Sequence, residues 1–147
     1  MTRHASPPAT HEDAKLLLQL SEMRREPRLR EARRWFAASF RATTFEELMS
    51  LCPPGSEENA SYRMVTSYWE LVASFVTSGV LNQELFFQSG RELLFCWTRM
   101  RELAPLVRAQ NKNPIEWKNL QIVGNAFIEW WNDQAPGAYD AFRDRIK

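Results

Sequence analysis

Seven arginines fall within a short stretch, at Arg24, Arg25, Arg28, Arg30, Arg33, Arg34 and Arg41, with only Glu26 and Glu31 to offset them. The segment carries +5 in a chain whose formal net charge is +1, so the remainder totals −4. A guanidinium presents a planar fork of donors that matches phosphate and carboxylate oxygens, and a basic cluster supplies sequence-independent affinity for nucleic acid. Arg28, Arg30, Arg33 and Arg34 are therefore the candidate anion-binding residues. The competing reading is a solvated helix face whose arginines pair with Glu22, Glu26 and Glu31, and with Glu46, Glu47, Glu57 and Glu58 further along. Leu29, Ala32 and Phe36 claim the inner face, which sends Arg30 and Arg34 outward together and leaves Arg33 best placed to meet an internal carboxylate. No recognition-helix signature, stacking motif or zinc spacing accompanies the arginines, so internal pairing is the expectation.

Other residue types offer less. Glu70, Glu84, Glu92, Glu102 and Glu129 stand in helical stretches. A carboxylate site in a helix bundle pairs Glu with His three residues on, and no His follows residue 11. His4 and His11 have no companions at ligand spacing, and no glycine-rich phosphate loop, nucleophile elbow or HExxH is present. Catalytic residues, cofactors and metal ligands are all expected to be none. Cys52 and Cys96 sit in apolar surroundings and read as free, buried thiols. Trp69, Trp97, Trp117 and Trp131 fall on helical stripes and read as core, against the lesser reading that aromatics beside Arg99, Arg101 or Arg108 line a ligand pocket. Phe87, Leu94, Phe95 and Trp130 leave those stripes and are the candidate interface residues.

The elements that must position these side chains are helices. Tyr62, Val65, Trp69, Val72 and Val76, then Phe86, Gly90, Leu93, Trp97, Met100 and Ala104, recur at alternating three and four. This predicts a central antiparallel hairpin of helices over 56–78 and 82–104. Ser56 caps the first arm, Gly79 ends it with Val80 folded back on Phe75, and Asn82 caps the second, where Leu81 staples to Phe86. Around it the pattern predicts helices over 11–25 and 27–40, a short one from Thr44, and a last long one starting at Asn113-Pro114. Residues 1–10 read as a mobile tail and 11–147 as one domain, the usual size for a chain of 147 residues. The fold class is thus all-α, a single-domain helical bundle. No apolar run approaches the length of about 18 residues that reads as a membrane span, and the first residues lack a signal-peptide core, so a cytoplasmic protein is expected.

The run from Tyr68 to Leu85, YWELVASFVTSGVLNQEL, followed by Trp97 and by Pro105-Leu106-Val107-Arg108, resembles a widespread bacterial all-helical family known only as a domain of unknown function. The likeness spans about residues 56–131 and implies an all-helical fold with no activity attached. Some members of that family carry an N-terminal membrane helix, where this chain has Arg24–Arg41 instead.

Three functions are ranked from these residues. First is an interaction or scaffold module that self-associates or meets another protein through Phe87, Leu94, Phe95 and Trp130. Second is a polyanion or nucleic-acid binder through the arginine-rich helix 24–41, and third an enzyme of no nameable class.

Overall fold

A computed structural model describes residues 7–147, and among them every regular element is an α-helix. They run in order α1 (His11–Met23), α2 (Pro27–Ser39), α3 (Phe45–Leu51), α4 (Glu57–Thr77), α5 (Gln83–Ser89), α6 (Arg91–Met100), α7 (Ala104–Asn111), α8 (Lys118–Gln134) and α9 (Ala138–Arg145). His4 lies outside the described residues. The single all-α domain expected from sequence is what forms, with α4 at its centre.

Local chemistry sets most of the helix starts. Thr10 accepts from the Asp13 N–H, and the Asp13 carboxylate accepts from the Thr10 N–H at 2.7 Å, closing a capping box. Glu26 caps α2, accepting from the Arg28 and Leu29 N–H groups, with Pro27 in the first turn. Thr44, Ser56 and Asn82 cap α3, α4 and α5 through the same side-chain-to-N3 bond. α4 ends at Gly79 with φ +84°, in open space, so the left-handed backbone and not crowding selects glycine there. Beyond it Val80 is exposed, and Leu81 returns to the core instead, its N–H donating to the Phe75 carbonyl at 2.9 Å.

Three expectations need correction. The second arm of the hairpin is two helices, because the chain leaves helical geometry at Gly90, which carries the Phe86 ring so close that a Cβ would lie 2.5 Å from it. The apolar spacing runs straight through this break, so spacing alone reads a continuous helix. α4 accordingly packs most extensively on α2 and α8, and less on α6. The last long helix starts at Lys118 and not at Pro114: Trp117 before it has φ +55°, and Glu70 on α4 supplies the missing cap, its carboxylate accepting from the Asn119 and Leu120 N–H groups at 3.1 and 2.8 Å. Residues 7–10, grouped with the tail in sequence, are seated: Asn82 Nδ2 donates to the Pro7 carbonyl at 2.8 Å, and the Asn82 N–H donates to Asp13. One carboxylate thereby ties the starts of α1 and α5 together.

The core is aromatic along two lines. Phe36 stacks on Phe40, Phe40 on Tyr62, and Tyr62 meets Trp117 edge-on, joining α2, α4 and the start of α8. Phe87 stacks on Phe127, and Trp131 meets Phe142, joining α5, α8 and α9.

Candidate functional site

Half of the arginines on α2 are committed to the chain's own fold. Arg33 grips Glu92 on α6 with two prongs, Nε to Oε1 at 2.6 Å and Nη2 to Oε2 at 2.8 Å, and Arg24 reaches the same carboxylate at 2.9 Å. That bond to Glu92, against a smaller burial penalty, raises the Arg33 pKa above its ordinary value. Arg28 donates to Glu57 and Ser61 on α4. Arg30 and Arg34, one turn apart, are exposed, and their side chains bond to no other described residue. So the four candidates do not form one anion site: two are tied across to α4 and α6, and two point into water.

Two of the four interface candidates are spent inside, and the other two are half-buried. Phe87 is 3% exposed and Leu94 0%. Phe95 lies half-buried with its ring edge on Phe36 and the Arg99 guanidinium over its face at 4.6 Å. Trp130 packs against Phe87 and Phe127 and donates its indole N–H to Glu84. Phe87 is covered by Phe127 and Trp130 of α8 and Phe95 meets Phe36 of α2, a packing that two-helix periodicity does not contain. The exposed large apolar residues are others: Leu18, Met23, Leu71, Val80, Leu106, Ile115 and Ile122.

The helical carboxylates act as ties. Glu70 caps α8, Glu84 holds Trp130, and Glu92 holds Arg24 and Arg33. Among the described residues no cluster of three or more His, Cys, Asp or Glu is arranged to hold a metal ion. Cys52 and Cys96 are free and buried, and burial pushes the Cys52 thiol up to about 11 and raises Cys96 as well, away from thiolate reactivity.

Uncompensated charge gathers where the loop after α2 meets the ends of α6 and α9. A cleft of about 290 Å³ opens there, lined by Arg41 and Thr43 of the loop, Thr98, Arg99 and Glu102, and Arg143, Ile146 and Lys147. Arg99 is held by backbone alone: Nη1 donates to the Phe40 carbonyl at 2.6 Å and to Ala37 at 3.4 Å, and Nη2 to the Ile146 carbonyl at 2.7 Å. Its Nε has no partner among the described residues. Burial and the neighbouring Arg41 charge lower the Arg99 pKa. Arg41 likewise bonds a carbonyl, that of Ala38, and no acid. Arg143 and Lys147 are paired with Asp140 and Asp144 on their own helix, which leaves Arg41 and Arg99 facing Glu102 alone. Sequence reasoning weighed Arg99 but not its meeting with Arg41, since 58 positions separate them and no linear motif joins them; the nearest signal was Arg99 lying one turn after Phe95, off the apolar stripe.

Helices packed on a central α4, with carboxylates tying their starts, define a one-domain all-α protein. The chain belongs to the family described as a domain of unknown function, DUF4760, whose pattern matches residues 9–144. Comparison with curated proteins and with solved structures finds no match for it. No helix among the described residues is long and apolar enough to cross a membrane.

Proposed function

We propose that the chain is a binding module for a small anion, seated between Arg41 and Arg99. The observation that supports this is the bonding of Arg99, a partly buried guanidinium whose partners are all carbonyls, beside a second guanidinium that also lacks a carboxylate. Two like charges at one cleft repel, and an anion between them relieves the repulsion while accepting the N–H groups Arg41 still has to offer. Hydrogen bonds to charged groups contribute about 1.5–3 kcal/mol each, so two such contacts correspond to roughly millimolar affinity. A titration of the full chain with inorganic phosphate, followed by NMR of the arginine side chains, should give saturable shifts at Arg41 and Arg99. Arg41→Gln, an exposed change, should abolish saturation with the fold intact. Shifts that grow without saturating, or that survive in Arg41→Gln, would remove the reading.

A further inference from the structure

The cationic cleft has an apolar neighbour. Phe36 and Ala37 of α2, Val65 and Trp69 of α4, Phe95 of α6 and Phe142 of α9 line a second cavity of about 240 Å³. The two are consecutive turns of the same helices. Phe95 borders one and Arg99 the other, four residues on; Phe142 and Ile146 repeat that step on α9; and Ala37 lines the apolar cavity while its carbonyl accepts from Arg99. Residues so spaced on a helix lie about 6 Å apart on one face. The wall between them is the Phe95 ring with the Arg99 guanidinium 4.6 Å above it.

The chemistry of the two halves is complementary. The apolar end is closed by Arg33 and Glu92, which are bonded to each other, and the exposed Arg91 stands at its rim. Trp69 borders it at 2% exposure, and its indole N–H has no hydrogen-bond partner among the described residues. Each half is smaller than the roughly 300–1,000 Å³ of ordinary ligand pockets, and a ligand that spans the Phe95 ridge would draw on both volumes.

Resting on the anion site proposed above, we infer that the ligand is an amphipathic anion: a carboxylate or phosphate ester held at Arg41 and Arg99, with a short hydrocarbon or aromatic body lying across Phe95 against Phe36 and Phe142. Phe95 then serves both halves, as the platform of Arg99 and as the surface the apolar body crosses. A free ligand is meant, since the cavity is sized for a body of a few carbons.

The test compares acetate with octanoate, and inorganic phosphate with octyl phosphate, by calorimetry on the full chain. Each buried methylene tightens binding about fourfold, so octanoate, with six more methylenes than acetate, should bind roughly sixtyfold tighter when half of them are buried. Ala37→Leu, at an exposed position bordering the apolar half, should flatten that dependence on chain length. Arg41→Gln should weaken every ligand. If octyl phosphate binds no tighter than phosphate, this inference falls and the anion site stands; if neither binds, both fall. Octanol binding as well as octanoate, or binding to anionic lipid vesicles with none to free octanoate, would also overturn it.

Discussion

Arg33 and Arg99 belong to facing helices and end in opposite states. Arg33 closes a two-pronged bond on Glu92, and its pKa rises; Arg99 meets carbonyls and a second arginine, and its pKa falls. Both are part-buried to a similar degree. The difference lies in what faces them. α6 brings Glu92 to the first and brings no acid to the second, because a residue seven positions further along α6 projects from near the same face but two turns away. Dense charge in sequence is therefore a poor guide to where charge is available: of the six arginines from Arg24 to Arg34, three are tied across the fold and Arg30 and Arg34 point into water, whereas Arg41 and Arg99, far apart in sequence, meet at one cleft.

The largest expected effect tests the locked side. Glu92→Ala strands Arg24 and Arg33, both part-buried, without a carboxylate. Removing one partner of a fully buried pair costs about 3–5 kcal/mol, and the solvent reaching these groups reduces the loss to about 2–3 kcal/mol. A fall in the urea midpoint measures it. Replacing the partners together, Arg33→Met with Glu92→Leu, should recover much of the loss, because the stranded charge and not the missing attraction dominates. A neutral Glu92→Ala would mean the two arginines differ in name only.

How much of this was legible follows from the range of each interaction. Caps are local, so Thr44, Ser56, Gly79 and Asn82 mark helix ends where the sequence puts them, and Pro27 opens α2 as its position requires. The start of α8 was not legible, because its cap comes from Glu70 some 49 positions earlier and nothing about Trp117 favours a positive φ. The break at Gly90 hid behind an unbroken apolar spacing. The interface candidates have the same origin: Phe87 and Leu94 look surplus to a two-helix seam, yet both are buried in the folded chain, Phe87 against Phe127 of α8. Of the candidate site, Arg99 was visible as an arginine off the core stripe, but its pairing with Arg41 is a product of tertiary folding.

A smaller effect separates acid-labile ties from the arginine pairs. Backbone N–H donation from Thr10 and then Asn82 lowers the Asp13 pKa below its ordinary 3.8, and donation from Arg28 and Leu29 lowers Glu26 below 4.5. A depressed carboxylate adds stability that is complete above its unfolded pKa and is lost as pH falls through the folded one. Stability should therefore be flat at neutral pH and decline below about pH 4.5, the upper of the two ordinary values. Asp13→Asn should lower the plateau and make the acid limb shallower, as measured by thermal melts from pH 7 down to 3. An unchanged limb would place the acid sensitivity elsewhere.

The smallest effect on stability belongs to Arg30 and Arg34, and it decides whether the locked side stays locked when a polyanion is offered. Both are exposed and their side chains bond to no other described residue, so Arg30→Glu with Arg34→Glu should shift stability by no more than about 0.5 kcal/mol. Each phosphate neutralised on duplex DNA contributes about −0.9 to the slope of log K against log salt, so two free arginines give a slope near −2 and weak binding at physiological salt. Anisotropy with a random duplex oligonucleotide should show that slope in the native chain and its loss in the double variant, while phosphate binding at Arg41 and Arg99 continues. Submicromolar affinity with a slope beyond about −4 would require Arg24, Arg28 and Arg33 to leave Glu92 and Glu57 for the phosphates. The arginine helix would then be a switchable surface, and the contrast between Arg33 and Arg99 would describe only the unbound state.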